Sequence, residues 1–238
     1  MSESIVLCEG YHDRAFWKGI LTFLGCTDPG PGVVNAKKER LTGGRFGFYN
    51  LVGRQIQVIP CGGKARILPQ FRTEISLLAT RPRKSIVVCI DPDGAQGISL
   101  PDLMRETQHL KVEATSADGH IQLQDGTQIW LVRWEVLDGG KFPNFPGGQT
   151  LERLVCEALN QVYPSRAEAV RNWLSSRPEA STTGAKNHAW SFMAGWASEE
   201  GCERFFSGLW EDQGVAQSLK ALLDANGSWA CATDLAQA

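Results

Sequence analysis

Short unbroken apolar blocks alternate with stretches of helical period through the first hundred residues. Ile5–Cys8, Ile56–Pro60 and Ser85–Ile90 read as strands buried in a parallel sheet. After the first block, Phe16, Trp17, Ile20, Leu21 and Leu24 fall at helical spacing, predicting a helix from about Asp13 to Leu24. A second helix is predicted over about Ala65 to Ala79, and a short one over Pro101–Gln108. The segment 25–54, rich in glycine, proline and basic residues, reads as a long loop or mobile flap.

The pattern then changes. Lys111–Ala114, His120–Gln124 and Gln128–Trp134 alternate apolar and polar residues around Asp118-Gly119 and Asp125-Gly126, dipeptides that favour tight hairpin turns. Beyond the Gly/Pro-rich stretch 138–148, helices are predicted at about 150–160, 165–175, 184–196, 199–210 and 214–224. The order β-α-β-α-β-α with right-handed crossovers implies an α/β fold, a mainly parallel sheet flanked by helices. The hairpins extend its edge and the C-terminal helices cap it. We place a core at 1–160 and a helical extension packed on it at 161–238.

Composition narrows the partners. A hydrophobic fraction of 42% and a charged fraction of 21% over 238 residues describe an ordinary globular chain. Its formal charge of −2 attracts no polyanion globally, so a nucleic acid would have to meet a local basic surface. Seven cysteines stand singly with no metal-ligand spacing, which argues for a reducing compartment. Met1-Ser2-Glu3-Ser4 runs straight into the first apolar block, and no apolar stretch reaches the roughly 18 residues of a membrane span. The expectation is a cytoplasmic protein with no membrane partner.

The chemistry concentrates where two of the strands end. Ile5-Val6-Leu7-Cys8 runs into Glu9-Gly10-Tyr11-His12-Asp13, and Ile86-Val87-Val88-Cys89-Ile90 runs into Asp91-Pro92-Asp93-Gly94. Ligands of open α/β sheets bind at that edge. If the strands are neighbours, four carboxylates converge there and need a divalent cation to relieve their repulsion. Gly10 would let the backbone turn sharply between Glu9 and Asp13. Plainer readings exist: Asp13 as a helix N-cap and Asp-Pro-Asp-Gly as a turn. The joint occurrence of both clusters favours the metal site.

Strand–Glu9-Gly10-x-x-Asp13–helix followed by strand–Asp91-x-Asp93 resembles the TOPRIM domain of topoisomerases, bacterial primases and several nucleases, over residues 5–94. The wording from Cys8 to Phe16 is most similar to the OLD-type and stand-alone branch, in which a Gly-Lys step, here Gly63-Lys64, follows the second strand. The resemblance implies that Glu9, Asp91 and Asp93 bind Mg²⁺ or Mn²⁺, with Asp13 joining or orienting them. It also implies that Glu152 serves a second metal and that Lys186 stabilises charge on the scissile phosphate. Glu152 is equally well read as a first-turn glutamate favoured by the helix dipole, and Lys186 as a solvated lysine. Glu9 is alternatively a general acid or base.

The function implied is metal-dependent cleavage of DNA or RNA, in phage defence or nucleic-acid processing. Lys64 is a candidate phosphate contact, and Lys37, Lys38, Arg40, Arg45 and Arg54 either guide a nucleic acid or form a solvated loop. No Walker A motif is present, which speaks against any function requiring nucleotide-driven assembly within one chain. The partners expected besides nucleic acid are a second copy of the chain, as a homo-oligomer, or a separately encoded protein. Two other classes stay open: a non-catalytic module binding metal, nucleic acid or protein, and an aspartyl phosphotransferase using Asp91 as nucleophile. His12 is expected to line the site at most. Trp190, Trp196 and Trp210 are expected in the core, and Trp130 or Trp134 either lies beneath a helix or stacks a base.

Overall fold

The computed structural model describes residues 3–28, 46–92, 97–117, 119–137, 149–176, 184–194 and 201–237. Four strands form the parallel centre of a seven-stranded sheet: β1 (Glu3–Cys8), β3 (Gln55–Pro60), β4 (Arg83–Ile90) and β7 (Gln128–Arg133). They lie in the order β3-β1-β4-β7, with Val6 opposite Val58 on one side and Val87 on the other. An antiparallel strand, β2 (Phe46–Tyr49), borders β3, and the hairpin strands β6 (His120–Leu123) and β5 (Ala114–Ala117) extend the sheet beyond β7.

The two innermost strands, β1 and β4, carry the unbroken apolar runs Ile5–Cys8 and Ile86–Ile90 because both faces are covered. Val6, Cys8, Val87 and Cys89 point into one layer, Ile5, Leu7, Ile86 and Val88 into the other. The first layer holds α1 (Tyr11–Phe23), α4 (Leu151–Val162) and helices of the C-terminal third: α5 (Pro164–Ser175), α6 (Ala185–Ala194), α7 (Gly201–Gly208), α8 (Gln213–Ala225) and α9 (Ser228–Gln237). The second holds α2 (Ile67–Ser76) and α3 (Leu100–His109). This is an α/β architecture with a mostly parallel sheet, an edge hairpin and a C-terminal helical region. Among the described residues, no helix is long and apolar enough to cross a membrane.

The layering positions a crevice. The helix after β1 packs on one face of the sheet, and the helix after the adjacent β4 packs on the other. The chain therefore leaves these two neighbouring strand ends in opposite directions. That is the topological switch point, where open parallel sheets bind ligands.

Several expectations need correction. The span 25–54 is not all loop, because Phe46–Tyr49 pairs antiparallel with β3 (Gln55–Pro60) and Phe48 is fully buried. The strand expected at Lys111–Ala114 instead occupies Ala114–Ala117, since α3 ends at His109 with Leu110 as its C-cap and Lys111 takes a left-handed conformation (φ 58°). The stretch Gln128–Arg133 is both a hairpin arm and a parallel neighbour of β4. The helix Ser228–Gln237 was not anticipated. Its buried residues are mostly small, and Trp229, Ala232 and Leu235 supply only a thin helical stripe.

Candidate functional site

Glu9 and Asp91 stand at the ends of the adjacent strands β1 and β4, as the sequence required of a shared site. The Asp91 backbone N–H donates to Glu9 Oε1 at 3.0 Å, which locks the two strand ends together. Behind them, the N–H groups of Gly62 and Gly63 donate to the Glu9 carbonyl at 3.0 and 2.8 Å. Both glycines have positive φ (78° and 116°), a conformation that favours glycine and folds the loop after β3 against β1. Lys64 follows at once, and its Nζ donates to the Asp91 carbonyl at 2.9 Å. The Gly-Lys step thus lies on the same crevice as both strand ends.

Asp13 occupies the third position of α1, not the N-cap. Its Oδ2 accepts from the Gly10 N–H at 2.9 Å, and its Oδ1 accepts from the Trp134 indole at 2.6 Å. Gly10 itself is extended (φ −149°), so a sharp turn is not the reason for glycine there. Trp134 is fully buried, packed on Phe16 and Trp17, and is not placed to stack a base. With both oxygens taken by buried donors, Asp13 holds the first turn of α1 in place beside the crevice.

Thr150 caps α4 by accepting from Arg153 N–H, and the next N–H, that of Leu151, donates to Asp91 Oδ1 at 2.8 Å. The positive end of α4 therefore faces Asp91. Glu152 follows, nearly buried, with His12 Nδ1 3.1 Å from its Oε1 and Lys186 Nζ 4.0 Å away. The sequence placed His12 at the margin, yet it pairs with Glu152 and its ring is stacked on Phe206 at 4.6 Å. The only sequence hint was its place between the two acidic residues.

Electrostatics ties these groups into one cluster. Burial, then the charges of Asp13, Glu152 and Glu9, push the Asp91 carboxyl up to about 9, against the Leu151 hydrogen bond. Burial likewise raises Asp13 to about 6, although Trp134 and Gly10 stabilise its ionised form. Burial opposes ionisation of Glu152 too, but the His12 hydrogen bond and the Lys186 charge hold it below its ordinary value. With that carboxylate ionised, the His12 Nδ1–H is the donor.

Among the described residues, no three His, Cys, Asp or Glu side chains converge into a cage for a metal ion. Glu9 and Asp91 supply two carboxylates at the neighbouring strand ends, each with one oxygen accepting a backbone N–H. That donor set fits Mg²⁺, which keeps several waters and takes one or two carboxylates plus substrate phosphates. Asp93, Lys37, Lys38, Arg40 and Arg45 lie outside the described residues. Arg54 is in the turn between β2 and β3, where its N–H donates to Asn50. Trp210 is buried as expected, but Trp190 is 47% exposed, and Trp196 lies outside the described residues.

Neither a protein-family model nor a curated protein matches the chain. The fold is similar to the crystal structure of a hypothetical protein from Pyrococcus horikoshii OT3, with a TM-score of 0.73 over 99% of both chains at 15% sequence identity. At that identity the likeness establishes a shared fold across the whole length.

Proposed function

We propose that the chain is a metal-dependent phosphodiesterase acting on DNA or RNA in the cytoplasm, with Glu9 and Asp91 as its central carboxylates. The observation that carries this reading is their pairing at the switch point, inside the field of Asp13 and Glu152. A group of carboxylates that suppresses its own ionisation gains by holding a cation. Mg²⁺ or Mn²⁺, when bound, would neutralise charge at the scissile phosphate and lower the pKa of an attacking water. Glu9 and Asp91 would hold it, and the TOPRIM resemblance adds Asp93, two residues beyond Asp91. The resemblance to TOPRIM nucleases supports the same assignment.

The surrounding residues have distinct work. Asp13, clamped by Gly10 and Trp134, orients the first turn of α1. Lys64 offers a positive charge beside Asp91 for a phosphate oxygen. Glu152 holds the His12 ring through Nδ1, leaving Nε2 as the nitrogen that can exchange a proton with a leaving oxygen. Lys186 adds positive charge on the Glu152 side. The seven cysteines are free thiols, in keeping with a reducing compartment.

A second reading, a binding module without turnover, draws on one observation: Glu9 Oε1 and Asp91 Oδ1 already accept backbone N–H groups. The two separate in a cleavage assay offering supercoiled DNA, single-stranded DNA and structured RNA with Mg²⁺, Mn²⁺ or EDTA. Metal-dependent cleavage that disappears in Asp91→Asn is the expected result. Cleavage retained in that variant refutes the assignment, and binding without cleavage in saturating metal favours the module.

A further inference from the structure

A cleft of about 590 Å³ opens between α5 and α6, its walls including Trp173, Trp190, Val170, Leu174 and Arg166. Trp173 and Trp190 are 54% and 47% exposed, whereas Trp17, Trp134, Trp210 and Trp229 are buried. An indole left half in water forgoes much of the transfer free energy that burial supplies. Two of them lining one cleft suit an occupant with a flat apolar face.

The cleft adjoins the carboxylate site. The edge of Trp190 meets the His12 ring, centroids 6.1 Å apart at 67°, and His12 is bonded to Glu152. Charge points to the same kind of occupant. The charged residue on the wall of the cleft is Arg166, and Lys186 lies on α6 with its Nζ 4.0 Å from Glu152 of the carboxylate site. The Arg166 guanidinium is stationed over the Tyr163 ring at 5.4 Å, on the wall of the cleft. Aromatic faces beside a guanidinium are the elements by which proteins hold unpaired bases and their phosphates. A duplex keeps its bases stacked on one another and has none to offer.

We propose that this cleft stacks unpaired nucleobases on Trp173 and Trp190, so that single-stranded nucleic acid is the polymer delivered to the neighbouring carboxylates. What happens at the carboxylates rests on the phosphodiesterase reading; the stacking does not.

The test is anisotropy of fluorescein-labelled oligothymidylate, oligouridylate and a duplex of equal length, in EDTA, with full-length protein. Trp173→Leu and Trp190→Leu should each weaken single-strand binding about fivefold or more, while Trp190→Phe keeps most of it. The duplex should bind less tightly than either single strand. Photocrosslinking of an iodouridine oligonucleotide to wild-type protein, mapped by peptide, reads the same contact without any variant and should label α5 or α6. Unchanged affinity in both folded leucine variants, no binding by wild type, or crosslinks confined elsewhere would overturn the proposal. So would self-association of wild type that Trp190→Leu abolishes, which would give the cleft to a second copy. Metal-dependent cleavage with binding indifferent to both tryptophans removes the cleft but leaves the phosphodiesterase. Cleft-dependent binding with no cleavage in Mg²⁺ or Mn²⁺ does the reverse.

Discussion

Replacing Trp134 by phenylalanine removes one buried N–H from Asp13 and leaves an aromatic ring in the core. In the wild type, that indole donates at 2.6 Å to a carboxyl whose pKa burial raises from 3.8 to about 6. The folded protein therefore keeps the Asp13 proton to higher pH than the unfolded chain does. Stability consequently falls as pH climbs through that window. The indole bond limits the penalty by favouring the ionised form, so losing it extends the penalty to higher pH. A hydrogen bond to a charged group contributes about 1.5–3 kcal/mol and one to a neutral group about 0.5–1.5, a difference of about 1 kcal/mol. The smaller ring also loses contact with Phe16 and Trp17, at a further cost of about 1 kcal/mol that does not depend on pH. Trp134→Phe should thus destabilise by about 2 kcal/mol at pH 5 and about 3 kcal/mol at pH 8. Urea unfolding of both proteins at the two pH values, with equal m-values, measures it. In the double variant with Asp13→Asn the pH difference should vanish. Equal destabilisation at both pH values, or a larger one at pH 5, refutes the role given to Asp13.

Three further outcomes are expected. Asp91→Asn should gain stability on wild type as pH rises toward about 9, because the amide keeps an oxygen for the Leu151 N–H and has no proton to lose; in thermal melts, added Mg²⁺ should stabilise wild type and not the variant. Gly19→Ala would put a methyl 2.3 Å from Trp210 Cδ1 and 2.7 Å from the Ser207 carbonyl, prising α7 from α1, and should cost about 3 kcal/mol in chemical denaturation. Glu74→Ala takes from the buried Arg83 guanidinium its carboxylate partner at 2.8 Å, leaving Glu3 as its acidic partner among the described residues, and should cost about 3 kcal/mol by the same measure.

Much of the sheet was legible because its central strands are buried on both faces and so carry unbroken apolar runs. Ile5–Cys8 and Ile86–Ile90 read as strands from that signal, and the acids that follow them make a shared site if the two strands are neighbours. Edge elements were harder. Phe46–Tyr49 has only four residues and sits in a stretch dominated by glycine and basic residues, and Ala114–Ala117 is largely exposed, so neither has a strong period. Ser228–Gln237 is buried through alanine, serine and cysteine, which patterns of large apolar residues do not reveal.

The sequence by itself determined the α/β class, the two acidic strand ends and the Gly63-Lys64 step, because each depends on local composition and short-range spacing. Only the tertiary structure decided which groups share the crevice. The order β3-β1-β4 puts Glu9 against the Asp91 backbone, and the packing of α4 and α6 brings Glu152 to His12 across more than a hundred residues of chain and Lys186 to Glu152. It also decided that Asp13 answers to Trp134, far along the chain, and that Trp190 stays half in water beside the site. Such pairings come from how layers stack, and stacking is a property of the whole core that no local period encodes.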